Sequence, residues 1–306
     1  MSDGDWSAAD VPDQSGRVIV ITGANSGIGF EAAKVLTAKG GTVVLACRNE
    51  DKAAEAEAAI RAGDPGADTS VVVLDVADLS SVRQGAETIR AAHGHIDILV
   101  NNAGIMAVPE QRSPDGFELQ LATNHLGHFA LTGLLMDRLL DTPGSRVVSI
   151  SSQAHRFGSM DFDDLNWDHG YKSWGAYGRS KLANLMFIYE LQRRLERAGA
   201  DTIATAAHPG WTETNLQKYS PMLQFLNRFV AMDPEQGALP TLYAATAPEV
   251  KGGDYYGPNG FAEVRGYPKR VGSIQLSHDR AVAEKLWAVS EELTGVHYLT
   301  KNPILS

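Results

Sequence analysis

The chain has 306 residues, 43% of them hydrophobic, enough for one large core. Its 27 basic and 37 acidic side chains give a net charge of −10 with no basic stripe, which argues against nucleic acid as a partner, and the one cysteine, Cys47, excludes an internal disulfide and disfavours a cysteine metal site. Residues 1–16 form a polar, acidic tail without the basic start and apolar core of a signal peptide, and no apolar run approaches the ~18 residues of a membrane span, so a cytoplasmic protein with no stable membrane anchor is expected.

In chain order, residues 17–22 (RVIVIT) predict a strand, followed by a glycine turn and a helix over about 27–39. Strands follow at 42–46, 70–75, 96–100, 146–151 and 202–207, separated by predicted helices at 50–61, 81–92, 116–140 and 174–199. The strands are continuous Val/Ile/Leu runs rather than apolar/polar alternations, as expected for a parallel sheet covered on both faces. Strand–helix alternation through six strands predicts an α/β fold of the doubly wound, Rossmann type. Residues 17–306 are read as one domain with a variable C-terminal part. Two stretches break the rhythm. Residues 153–173 are too long for a simple strand–helix loop. Residues 212–233 carry Leu216, Met222, Leu223, Phe225, Leu226, Phe229, Val230 and Met232, and read either as an amphipathic helix packed on the core or as a lid over an apolar substrate.

Chemistry is concentrated at strand ends. Gly23, Asn25, Ser26, Gly27, Ile28 and Gly29 lie where the first strand turns into the first helix. Glycines there let the backbone approach a pyrophosphate, and the helix N-terminus offers it free N–H groups. After the second strand, the place where an acidic residue usually binds the ribose 2′-hydroxyl of NAD holds Cys47, followed by Arg48 and Asn49. An arginine suits a 2′-phosphate, so NADP(H) is expected over NAD(H). Asp75, with Val76 beside it, closes the third predicted strand and suits the adenine amino group, or else caps the next turn. Asn102, Ala103 and Gly104, after Asn101, stand at the carboxyl edge of the fourth strand, where open α/β sheets bind ligands. Tyr177 and Lys181 are four apart in a helical stretch and share one face. An ammonium beside a phenol, together with a positive nicotinamide ring, favours the phenolate and lowers its pKa.

The series T-G-A-N-S-G-I-G at 22–29, Asp75, N-N-A-G at 101–104, Asn124, Ser151-Ser152, Y-G-R-S-K at 177–181 and H-P-G at 208–210 resembles the short-chain dehydrogenase/reductase family over about residues 15–215. N-H-L-G-H-F at 124–129, S-S-Q-A-H at 151–155 and G-D-Y-Y-G-P at 253–258 resemble its retinol dehydrogenase and protochlorophyllide reductase-like branch. The resemblance implies an oxidoreductase acting on a carbonyl or alcohol, and the apolar side chains of 212–233 point to a lipophilic small molecule. Tyr177 would be its proton donor, Ser152 the holder of the substrate oxygen, Lys181 the residue that orients the cofactor ribose, and Asn124 the holder of a relay water. Pro209, Gly210, Trp211, Thr212 and Thr214 would close over the nicotinamide. It also implies a homo-oligomer, dimer or tetramer, through the helices of Asn124 and Tyr177, although the insertion and C-terminal extension leave a monomer open. His125, His128, His155 and His208 lack metal-ligand spacing and are read as structural, with no metal expected. The alternatives are an NAD-dependent member of the family, an NAD-dependent epimerase or dehydratase of nucleotide sugars, and a non-catalytic dinucleotide-binding regulatory protein.

Overall fold

A computed structural model of the chain describes residues 5–211 and 233–298. Its frame is an eight-stranded sheet in the order β3-β2-β1-β4-β5-β6-β7-β8. The strands are β1 (Val18–Thr22), β2 (Thr42–Cys47), β3 (Thr69–Val73), β4 (Ile98–Asn101), β5 (Arg146–Ile150), β6 (Ile203–Ala207), β7 (Tyr255–Pro258) and β8 (Pro268–Arg270). The first seven are parallel, and β8 closes the edge antiparallel to β7, pairing Tyr256 with Arg270.

Side-chain alternation along each strand builds two cores. Ile19, Ile21, Val43, Leu45 and Val100 point to one face, where they meet α1 (Gly27–Ala38), α2 (Glu50–Gly63) and, after the chain has crossed the sheet, the Ala- and Leu-rich α8 (Pro234–Thr246). Val20, Val44, Leu99 and Val147 point to the other, against α3 (Leu79–Ala92), α5 (Gly127–Leu134) and α7 (Ser173–Arg197). Burying each Ile or Leu contributes roughly 1.5–3 kcal/mol, which explains why both strand faces must be apolar. Asn49 and Asp78 cap α2 and α3 by accepting first-turn N–H groups, and Gly295, at φ 62°, ends α9 (Arg280–Thr294).

Several expectations need correction. The helix foreseen over 116–140 is interrupted: a single turn, α4 (Leu119–Leu121), runs into a π-helical segment, Ala122–Leu126, then α5, then α6 (Met136–Leu140). The third strand ends at Val73, so Asp75 sits in the turn after it, its Oδ1 accepting the Ala77 N–H at 2.9 Å. The expected tail is largely exposed over residues 5–16 but docks at points: Val11 is buried and Trp6 meets the Tyr243 ring of α8 edge-on. The proposed lid, apart from Asp233, lies outside the described residues, as do Thr212 and Thr214. No described helix is long and apolar enough to cross a membrane.

Candidate active site

The chain reverses direction across the sheet between β1 and β4, and the crevice beyond their carboxyl ends is the natural ligand position. Gly23 and Gly27 there take positive φ angles of 67° and 56°. A side chain on Gly23 would press on Ala103 at 3.0 Å, and one on Gly29 would meet the Gly23 carbonyl at 2.8 Å, so the turn needs bare backbone. Ser26 occupies the N-cap of α1, yet its hydroxyl makes no capping bond, which leaves the first amides of the helix available to an anion. Thr22 stitches the crevice together: its Oγ1 accepts the N–H groups of Asn102 and Ala103, both at 2.9 Å, and the Asn102 side chain donates to the Thr22 carbonyl at 2.8 Å. These features fit a dinucleotide diphosphate.

One cavity of about 800 Å³ runs from this turn, large for a small-molecule site. Every described residue expected to hold the cofactor lines it, from the 23–29 turn through Arg48, Asn49, Asp75, Val76 and 102–104 to Tyr177, Lys181 and 209–211. At the far end the Arg48 guanidinium lies 3.8 Å from the Asp75 carboxylate and is largely exposed, while the Asn49 side chain caps α2. Lys52 lines the same end and escaped the sequence reading, although a second cation four residues beyond Arg48 on a helix was a usable signal.

At the other end α7 brings in Tyr177 and Lys181, both buried, with Nζ 5.8 Å from the centre of the phenol ring. Nζ donates to the Ile150 carbonyl at 2.9 Å. Burial, the dominant influence, pushes the Tyr177 phenol up to about 12, with the Ser152 hydroxyl pulling the other way, and lowers the Lys181 amine to about 8. Among the protein's own groups, desolvation outweighs an ammonium that is turned toward Ile150. Both serines line the cavity, but the buried Ser151 donates its hydroxyl proton to the Lys181 carbonyl at 2.8 Å, whereas the Ser152 hydroxyl lies beside the phenol.

Asn124 sits in the π-helical segment behind the wall. Its Oδ1 accepts the Ile105 N–H at 2.8 Å, and its Nδ2 donates to the Ile105 carbonyl at 2.9 Å and to Ser180 Oγ at 2.8 Å. It thus clamps the loop that carries Gly104, using both Nδ2 protons and one of the two lone pairs of Oδ1. The four histidines are buried and scattered. His128 links Thr22 Oγ1 at 2.8 Å to the Asn124 carbonyl at 3.1 Å, His125 pairs with Ser290, and burial lowers both rings, to about 4 and about 3. Among the described residues no cluster has the makings of a metal site.

The substrate end is apolar and aromatic, with Met106, Phe157, Trp174 and Val264 beside Trp211. All four escaped notice: Met106 and Phe157 lie in irregular connections without periodicity, Trp174 is in the first turn of α7, where nothing in the local pattern marks it as cavity-lining, and Val264 comes from the turn between β7 and β8. The long 153–173 insertion that carries Phe157 is ordered from α7: buried Arg179 donates to the carbonyls of Ser159 and Leu165 and its guanidinium stacks 4.4 Å from the Trp167 ring.

Residues 17–222 match the family described as short chain dehydrogenase. Retinol dehydrogenase 13 of Homo sapiens is 38% identical over 302 residues, spanning 95% of this chain and 87% of that protein. Retinol dehydrogenase 12 of Mus musculus is 39% identical over 288 residues, spanning 92% and 88%. The crystal structure of an uncharacterized protein from Mycobacterium paratuberculosis superposes with a TM-score of 0.82 at 43% identity, covering 96% of this chain and 99% of that one. A doubly wound sheet with a bare glycine turn facing a Tyr-Lys-Ser group defines a nucleotide-dependent oxidoreductase. The chain belongs to the short-chain dehydrogenase family, and within it is similar to the retinol dehydrogenases.

Proposed function

We propose that the protein is an NADP(H)-dependent dehydrogenase/reductase that interconverts a carbonyl and an alcohol on a lipophilic small molecule. The observation that carries this reading is the single cavity that joins the glycine turn, Tyr177 with Ser152 and Lys181, and an aromatic end. Arg48 and Lys52 at the adenosine end, with no acidic residue at position 47, support a 2′-phosphate. The relatives' name, retinol dehydrogenase, supports an apolar alcohol or aldehyde as substrate class.

The bound nicotinamide supplies or accepts the hydride; the residues handle the proton and the orientation. Ser152 Oγ donates to the substrate oxygen and stabilises the charge that develops on it. Tyr177 Oη gives that oxygen its proton in reduction and takes it back in oxidation. Its raised pKa keeps the hydroxyl protonated at neutral pH, the state that reduction needs. Lys181, held near the bare Cα of Gly104, is placed to hold the ribose, and Asn124 keeps that loop in position through Ile105.

Thermal denaturation with each nucleotide tests the cofactor, because a ligand bound only to the folded state raises Tm. NADPH is expected to give the larger shift, and Arg48→Ala to reduce it selectively. A larger shift with NADH would overturn the preference. Consumption of NADPH with a series of straight-chain aldehydes tests the chemistry, with rates expected to rise with chain length; no turnover of any member counts against it.

A further inference from the structure

The turn between β7 and β8 is held in an unfavourable conformation. Ala262 and Glu263 both take left-handed φ angles, 50° and 56°, in succession. Two adjacent non-glycine residues in that region cost the fold stability and persist only where surrounding contacts overdetermine them. Those contacts all lead to the substrate end of the cavity. The Ala262 carbonyl accepts from Gln153, and the Val264 carbonyl accepts the Trp211 N–H at 2.8 Å. The Glu263 carboxylate bridges Arg156, at 3.2 Å, and His208 Nε2, at 3.1 Å.

His208 is 1% exposed, and its hydrogen bonds identify its tautomer. Its Nδ1 accepts the Gly210 N–H at 3.2 Å, so the ring proton must sit on Nε2, donating to Glu263. The approach depends on two glycines. A side chain on Gly257 would occupy the imidazole's place, and one on Gly210, whose φ is 71°, would strike the Val264 carbonyl. Arg156, Gln153, Gly210, Trp211 and Val264 all line the cavity.

We propose that Glu263 is a positioning residue for substrate: by bridging His208 and Arg156 it locks the 209–211 turn and the 153–157 turn into one wall, which sets how tightly the apolar part of the substrate is held. The proposal rests on the function put forward above. It assigns a role to the strained turn that nothing in the catalytic chemistry requires.

Glu263→Ala and Glu263→Gln separate the possibilities, using the full chain. The glutamine keeps an acceptor for His208 Nε2–H, whereas the alanine leaves it without one. With decanal and NADPH, Glu263→Ala is expected to raise KM about tenfold or more, the effect of losing a charge-assisted hydrogen bond, while kcat stays within about threefold and NADPH affinity, to which the 209–211 turn also contributes, falls by far less than KM rises. Hydrogen exchange at the Gly210 and Trp211 amides is expected to quicken in the same variant. Glu263→Gln is expected to keep those amides slow and to recover most of the KM. The proposal is overturned if KM in Glu263→Ala stays within about twofold of the unaltered protein, or if NADPH affinity falls in step with it. Slow exchange in Glu263→Ala overturns it without any turnover, so an inert unaltered enzyme would count against the function and leave the wall to be judged by exchange alone.

Discussion

Tyr177 and Lys181 are buried together with opposite consequences for charge: the phenol holds its proton more firmly than in water, and the amine less firmly. Tyr177→Phe removes the only proton that the phenol can offer. It is expected to cut kcat by about 10²–10⁴-fold, the usual range for a general acid, with NADPH affinity within about twofold. Retained turnover in single-turnover kinetics would remove Tyr177 from the chemistry. Lys181 makes a prediction about stability. Its folded-state pKa of about 8 lies below its ordinary 10.5, so folding is penalised while the amine is charged. The penalty, about 3 kcal/mol, is fully present below pH 8 and is relieved as pH rises toward 10.5. Lys181→Met is therefore expected to raise Tm at neutral pH by several degrees and to abolish the rise in stability across that window, while inactivating the enzyme. The Ile150 carbonyl keeps a donor in this variant, Asn184 Nδ2 at 3.0 Å. An unchanged Tm in calorimetry on either side of pH 8 would contradict the buried-charge account.

The π-helical segment is the element on which the site turns. Widening the helix at Ala122–Leu126 directs Asn124 toward the Ile105 loop, and such single-turn insertions are concentrated at functional sites. Directly after it, Gly127 lies so close to the Val76 carbonyl that any Cβ would collide with main chain, which cannot rotate away. Gly127→Ala is expected to cost about 1–3 kcal/mol in chemical denaturation and to weaken NADPH binding, since Val76 lines the cofactor end of the cavity. A variant as stable as the parent would mean that the helix shifts freely there. The sequence reading saw one helix from 116 to 140 because the apolar pattern runs on past position 122; a π turn adds one residue to a turn without changing which residue types are apolar.

Across the whole molecule, α7 is supported from behind by the C-terminal helix. Leu182 and Met186 of α7 pack with Ala283 and Leu286 of α9, and Trp287 stacks on Phe187, 5.9 Å between ring centres, and meets Phe129 of α5 edge-on at 5.1 Å. The residues after 278 thus brace the helix that carries Tyr177 and Lys181, though they lie beyond every catalytic motif. Trp287→Ala is expected to lower stability by about 3–5 kcal/mol, the usual cost of a large aromatic cavity, and to reduce kcat without changing substrate preference. Denaturant titration checks the first and a substrate series the second. A loss below about 1 kcal/mol would mean that α9 is an accessory. The same packing bears on assembly, because α9 covers α7, which carries Tyr177, and α5, which continues the π-helical segment of Asn124, and the family resemblance implied an oligomer through the helices of these two residues.

Much of this was legible in the chain itself. Continuous apolar runs marked six strands, because burial on both faces leaves no room for polar alternation, and the glycine turn could be read because a close backbone approach tolerates no side chain. Arg48 and the 102–104 loop stand just past strand ends, where the sequence placed them, whereas Asp75, expected to close the third strand, sits in the turn after it. Only the tertiary structure decided what depends on distant partners: that burial rather than the ammonium governs the Tyr177 phenol, that Asn124 spends its side chain on Ile105, and that Glu263, more than fifty residues from His208 in sequence, meets it at 3.1 Å. Local pattern reports how a segment meets the core in general. Electrostatics and hydrogen bonding depend on which atoms from remote segments fill the last few ångströms, and the fold alone supplies those.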